Sequence, residues 1–405
     1  MMTNKENTEL SPPDVGHHSN EIQQANWGGV FAITLCAFVL VASEFMPVSL
    51  LTPMAGALAV SEGMIGQGIA ISGALAVLTS LCIPAFAGRR DRKSILLSLT
   101  VLMGISGITI AMASSYAIYM LGRALIGVAV GGFWSLSVAT AMRMVKPHQI
   151  SRAMAIFNSG SALATVVAAP LGAWLGSTIG WRGAFFCLVP IAAGAFVWQW
   201  ISLPTMKSPT GNHQSGNVFN VLKNKQIAWG MAGCGAFFMG QFALFTYIRP
   251  FLETITRIHD ASLSLILLMI GLAGLLGTSL IGRFLTSGLY RTLAIIPFLM
   301  AGIAVMLTLF GDKTILVVAL LALWGLVATA APVGWWTWLA QIPHNAEAGG
   351  GLMVAIVQLS IGLGSTAGGM LYDTAGYQGT FLASAAVLLL GGIVAIVTSQ
   401  IGLKR

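Results

Sequence analysis

The feature that most constrains this 405-residue chain is a succession of apolar stretches, each roughly 19–27 residues long, separated by short polar intervals. Twelve are delimited, at about 27–50, 64–87, 95–113, 116–140, 151–176, 183–203, 226–248, 262–281, 292–310, 314–340, 350–371 and 379–402. A helix needs about 20 residues to cross a hydrocarbon core of about 30 Å. In lipid each crossing segment must satisfy its own backbone hydrogen bonds, which makes stretches of this length helices. The pattern predicts an all-α integral membrane protein with twelve transmembrane helices. Only 8% of the residues are charged, against about a quarter in an ordinary soluble domain.

The formal net charge of +8 invites a nucleic-acid partner, but its distribution argues against one. With the N-terminus in the cytoplasm, most Lys and Arg residues fall on the cytoplasmic side. Arg182, Arg249, Arg257 and Lys313 fall outside, and Arg123 lies within a stretch. That asymmetry is the positive-inside pattern, and it is expected of a chain with both termini in the cytoplasm. Cys36, Cys82, Cys187 and Cys234 lie within apolar stretches and are expected to be small packing residues rather than disulfides or metal ligands. The histidines lie in the tail or in loops, so neither a metal nor a cofactor is expected. Residues 1–26 are polar, contain Pro12–Pro13 and lack a basic start, as a disordered cytoplasmic tail would and a cleaved signal peptide would not.

The longest polar interval, 204–225, is rich in Pro, Gly, Ser and Asn, and is expected to be a cytoplasmic linker between a half at 27–203 and a half at 226–405. An internal repeat supports the division. GAWLGSTIGWRGAF at 172–185 and GGMLYDTAGYQGTF at 368–381 share Gly172/Gly368, Leu175/Leu371, Thr178/Thr374, Gly180/Gly376, Gly183/Gly379 and Phe185/Phe381, at a constant offset of 196. Each straddles the join between the fifth and sixth stretches of its half. Parallel six-helix repeats characterise transporters that rock two halves about a central site.

The first stretch ends in SEFMPVSLLTP at 43–53. Glu44 lies about 25 Å along a helix beginning near residue 27, beyond the midpoint of a stretch ending at 50. Two readings are open there: an acid marking the water-facing end, or a proton carrier in a cavity. A charged carboxylate in the bilayer interior costs a few kcal/mol, yet the apolar run continues past Glu44 through Leu51. Pro47 has no N–H to give the carbonyl of Ser43, which predicts a free acceptor and a bend beside the acid. Glu62, Glu253, Asp260, Asp312, Glu347 and Asp373 lie at stretch ends or in loops, so Glu44 is the acid within an apolar run. Arg123 could snorkel to an interface or act within the bundle.

Twelve stretches, the central interval and PLGAWLGSTIGWRGAF at 170–185 resemble the major facilitator superfamily, in its bacterial drug and sugar efflux branch. That resemblance implies the two-half major facilitator fold. Gly160, Pro170 and Gly172 match the Gly- and Pro-rich antiporter signature of the fifth helix, which assigns Pro170 to conformational change. Arg123 and Gly127 match the fourth-helix signature, with Ile126 where Gln is usual, and imply a role for Arg123 in proton coupling. Asp91 and Arg92 in AGRRDRKSI match a shortened form of the gating loop. EFMPVSLLTPMA, GGFWSLS, GQFALFTYIRP and PVGWWTW are similar to the purine ribonucleoside exporters of that branch, which are proton antiporters. On helices that line the cavity in this fold, Trp134, Asn158, Gln241, Phe245, Trp335, Trp338 and Gln358 are the candidate substrate contacts. Gln241 and Phe245 share a helical face, although single aromatics in membrane proteins are more often anchors or packing residues.

The expected activity is export of a small, uncharged purine nucleoside in exchange for protons, by a chain working as a monomer in the bilayer. Export of sugars or mixed drugs by the same mechanism is the nearest alternative. An enzyme would need His or carboxylate clusters that the sequence lacks, and a non-transporting sensor would usually add a sizeable soluble domain.

Overall fold

The computed structural model describes residues 25–87, 90–146, 149–206, 218–342 and 346–403. Nearly all of the expected N-terminal tail, and residues 207–217 of the expected linker, lie outside the described residues. Among those described, the regular structure is helical throughout, with no strand. The helices are α1 (Trp27–Leu58), α2 (Glu62–Ala87), α3 (Arg92–Ala111), α4 (Tyr116–Arg143), α5 (Ile150–Phe186), α6 (Leu188–Ser202), α7 (Lys225–Phe245), α8 (Ile248–Thr254), α9 (Asp260–Leu309), α10 (Thr314–Gln341) and α11 (Ala346–Leu403). Nine helical segments among the described residues are long and apolar enough to cross a membrane.

Three of these, Arg152–Ser202, Ser262–Leu309 and Gly349–Gly402, run for 51, 48 and 54 residues, over twice the length of one crossing. Each contains a glycine with non-helical backbone angles, Gly180, Gly288 and Gly376 respectively. A break there divides each segment into two helices, each long enough for one crossing. Gly180 (φ 78°) and Gly376 (φ 68°) adopt positive φ, a conformation that a Cβ disfavours. They stand at the offset of the sequence repeat, so the repeat encodes the same turn twice.

Helix α1 is longer than its expected stretch: it continues to Leu58 with Pro47 and Pro53 inside it. It ends on Ala59 in the left-handed conformation, whose N–H caps the Ala55 carbonyl. A helix of 32 residues is about 48 Å long, so Glu44, about 25 Å along it, sits near the middle. The expectation of a position well beyond the midpoint is corrected, because the helix continues through both prolines to Leu58.

Close helix approach relies on small residues, as is usual where lipid supplies no hydrophobic drive. Gly127 and Gly131 of α4 rest on the backbone of Ser72 and Ala76 in α2, while Gly364 and Gly368 of α11 rest on Met239 and Ala243 in α7. Buried apolar side chains form two clusters. One gathers residues of α1–α6, including Leu40, Phe133 and Phe157, with Tyr247. The other gathers residues of α7–α11, including Phe237, Trp324 and Phe381, with Ala169 and Ala173 of α5.

Candidate functional site

The middle of α1 is where the two clusters meet. Glu44 is half-buried, and its Oε1 accepts a hydrogen bond from Nε2 of Gln358 at 3.2 Å. Gln358 belongs to α11, and its own carbonyl packs against Gly73 of α2, where no side chain intervenes. The carboxylate near the centre of the first helix is thus held by an amide from the last. Buried carboxylates require such donors.

Ser43 precedes Glu44 by one residue, and Pro47 leaves its carbonyl without a helical donor. Nη1 of Arg123 supplies it, at 2.9 Å. Nε of the same guanidinium donates to the Gly68 carbonyl and Nη2 to the Ser72 hydroxyl, each at 3.0 Å, both on α2. Arg123 is fully buried. This excludes the snorkelling alternative: the side chain runs inward and ties α4 to α1 and α2 through neutral acceptors.

Beside Glu44, Phe45 meets Phe242 and Phe245 of α7, with ring centroids 6.0 and 6.4 Å away, and Phe242 and Phe245 are 6.0 Å apart. Gln241 precedes this cluster on α7, and its Oε1 is buried without a hydrogen-bond partner. An acceptor left open inside a membrane protein is a polar feature that calls for a donor. Glu44, Gln358, Phe45 and Phe245 therefore combine a titratable group, an amide and aromatic faces at one junction, and Gln241 lies one turn before Phe245 on α7.

The other expected contacts are distributed differently. Trp134 is half-buried in edge-to-face contact with Phe133 and Phe157, at 6.0 and 5.7 Å, against the first cluster. Trp335 and Trp338 are fully buried, and their rings fill the space over Gly233 and Gly230 of α7. In this structure they pack between α7 and α10. Their three-residue spacing indicates a shared face, and the glycines opposite make that face an interior seam. Asn158 is exposed on α5, and among the described residues no hydrogen bond joins it to Glu44. Pro170 is buried within α5; the carbonyl it leaves, that of Val166, faces Gly271 of α9. Oδ1 of Asp91 accepts from the N–H groups of Lys93 at 3.1 Å and Met206 at 2.7 Å, and the Arg92 N–H donates to the Met206 carbonyl at 3.2 Å. This loop is pinned to the chain that leaves α6.

Sequence reasoning missed Phe45 and Arg249 as parts of this region. A signal existed for Arg249: it is a cation placed immediately after the seventh apolar stretch and directly before Pro250 in GQFALFTYIRP.

Comparison with known proteins bears on these features together. The Major Facilitator Superfamily model matches residues 33–365. The chain is 58% identical over 387 residues to the transcription regulatory protein OpdE of Pseudomonas aeruginosa, covering 95% of this chain and 96% of that one. It is 35% identical over 388 residues to the purine ribonucleoside efflux pump NepI of Escherichia coli, covering 96% and 97%. Among solved structures, a bacterial homologue of the human lysosomal transporter Spinster superposes with a TM-score of 0.74 at 15% identity, over 94% of this chain and 98% of that one.

Proposed function

The chain belongs to the major facilitator superfamily and is a multi-pass membrane transporter, and from that premise we propose that it exports purine ribonucleosides from the cytoplasm in exchange for protons. The observation that carries the proposal is the Glu44–Gln358 hydrogen bond, which places a titratable carboxylate where the two helical clusters meet. Bonds to an ionised carboxylate are roughly twice as strong as those between neutral groups. Protonating Glu44 therefore weakens its tie to α11 and frees the two halves to move, and losing the proton restores the tie. In this reading the chain acts as a monomer in the bacterial inner membrane with both termini in the cytoplasm, and the distribution of Lys and Arg supports that orientation.

The substrate class rests on the relative named as a purine ribonucleoside efflux pump and on the chemistry of the junction. A purine nucleoside offers a flat π-face, hydrogen-bond donors and no charge. Phe45 and Phe245 supply faces for a base, and base stacking on an aromatic is worth about 1–3 kcal/mol. The open acceptor of Gln241 suits a ribose hydroxyl or a base N–H. Gln241→Ala should weaken inosine binding by more than about tenfold, or about 1.4 kcal/mol. Titration calorimetry on the purified protein checks this, and an unchanged affinity removes Gln241 from the site.

The similarity to a protein named as a transcription regulator supports a second reading, in which the chain affects gene expression. A transporter does this indirectly, by setting the internal concentration of a regulator's ligand. Proteoliposomes decide between the readings. Exchange of a neutral nucleoside for a proton moves net charge, so nucleoside addition should shift luminal pH and depend on membrane potential, with sugars and organic cations inert. If none of these compounds moves protons, and an expression phenotype survives in Glu44→Gln, the transport reading of that phenotype fails.

A further inference from the structure

Each of the two prolines inside α1 deprives one carbonyl of its helical donor: Pro47 that of Ser43, and Pro53 that of Ser49. The Ser43 carbonyl goes to Arg123 of α4. The Ser49 carbonyl goes to Nη1 of Arg249, at the start of α8. The two acceptors are six residues apart, or about 9 Å along the axis. Arg123 lies in the same run of six helices as α1, whereas Arg249 lies beyond the central interval. A single helix therefore presents two proline-freed carbonyls, one held from its own side of the molecule and the other from the opposite side.

We propose that Arg249 is a positioning residue that locks the α1–α2 end of the bundle closed, and that Pro53 creates the acceptor on which the lock depends. In an uninterrupted helix the Ser49 carbonyl would already be met by the N–H of residue 53, and a guanidinium would be a second donor to a satisfied acceptor. With proline there, the buried acceptor is unsatisfied unless Arg249 reaches it, and an unmet buried acceptor is unfavourable. The rest of this end is joined across the same boundary. Asp373 of α11 accepts from the Ser61 hydroxyl at 2.5 Å and the Gly63 N–H at 3.2 Å, and the Ser365 hydroxyl donates to the Gly66 carbonyl at 3.0 Å. Opening this end must take Arg249 from α1. Glu253, one turn along α8 and 2.7 Å from Nε of Arg249, moves with it and keeps the guanidinium paired. The lock therefore exchanges a carbonyl without stranding a charge, while water entering the opened end can hydrate the Ser49 carbonyl.

The inference rests on the transport reading only in requiring that the two ends open alternately, and it is independent of substrate and coupling ion. The test uses the full chain in nanodiscs, with Cys36, Cys82, Cys187 and Cys234 replaced and spin labels at Ala57→Cys and His259→Cys, both exposed at this end. Pulsed electron–electron distances report the fraction of molecules open there. Arg249→Met should raise the open fraction severalfold. Pro53→Ala, which returns an N–H to the Ser49 carbonyl, should raise it as well. In the Pro53→Ala background the added effect of Arg249→Met should fall to less than a third of its native size, a dependence that a merely structural arginine would not show. Arg249→Lys, which keeps the charge beside Glu253, serves if the methionine variant does not fold, and its effect should shrink in the same way. Equal effects of the arginine substitution in both backgrounds overturn the lock, as does an unchanged distance distribution in Pro53→Ala. A protein that shows the coupled shift yet moves nothing in liposomes would retain the lock and reject the proposed export.

Discussion

Replacing Glu44 by Gln will reduce proton-driven export by about two orders of magnitude or more, the scale at which a positioned proton-transfer group contributes, while leaving nucleoside binding nearly unchanged. The substitution conserves shape, and the new amide oxygen can still accept from Gln358, so the junction of α1 and α11 stays formed. What disappears is titration, and with it the change in bond strength that links proton binding to movement of the halves. Uptake into inverted vesicles under an imposed pH gradient measures the loss. Exchange of labelled for unlabelled nucleoside without a gradient measures what remains. Full gradient-driven uptake by the variant would remove Glu44 from coupling.

Arg123 carries the second large effect, and the structure separates its functional cost from its structural one. Of its three acceptors, the Ser72 hydroxyl also donates to the Ile69 carbonyl, and the Gly68 carbonyl lies in an uninterrupted part of α2. Only the Ser43 carbonyl, freed by Pro47, depends on the guanidinium. Arg123→Met should therefore destabilise the fold by about 1–3 kcal/mol, the cost of one unmet buried acceptor, less whatever is regained by removing a buried charge. Transport should be lost, because the Ser43 carbonyl beside Glu44 is no longer held by α4. Arg123→Lys keeps the charge, but an ammonium cannot match the planar fork that spans α1 and α2. It should lower transport by about tenfold, the equivalent of about 1.4 kcal/mol. Thermal unfolding in detergent alongside vesicle uptake tests both parts, and undiminished transport by the lysine variant would contradict them.

These two residues show how much of the site the sequence makes legible. An acid and a cation within apolar runs stand out against 8% charged residues, and the loss of a donor to Ser43 follows from the covalent structure of proline. The turns at Gly180 and Gly376 were visible as a repeat. The partner of Glu44 was not: Gln358 is 314 residues away, and no local pattern states which amide will face which carboxylate across two packed halves. Residue spacing also could not give the surroundings of Trp335 and Trp338. It places two rings on one face of α10, but whether that face meets a cavity or another helix depends on Gly230 and Gly233 of α7, a long-range fact. The length of α1 was underestimated because a proline near a stretch end resembles a terminus, whereas tertiary donors let this helix continue to Leu58.

The neutrality of the acceptors around Arg123 has a consequence for which ligands the protein can carry. A carbonyl or a hydroxyl satisfies a guanidinium's hydrogen bonds without cancelling its charge. With Glu44 ionised, the two groups sum to zero; with Glu44 protonated, the interior holds one net positive charge. In a medium of low dielectric such a charge repels a cation strongly and leaves a neutral molecule almost indifferent. If Glu44 is the coupling group, as proposed, proton loading sorts ligands by sign before any of them forms a hydrogen bond: cations are turned away from the protonated form, anions are attracted to it, and uncharged solutes are sorted by shape.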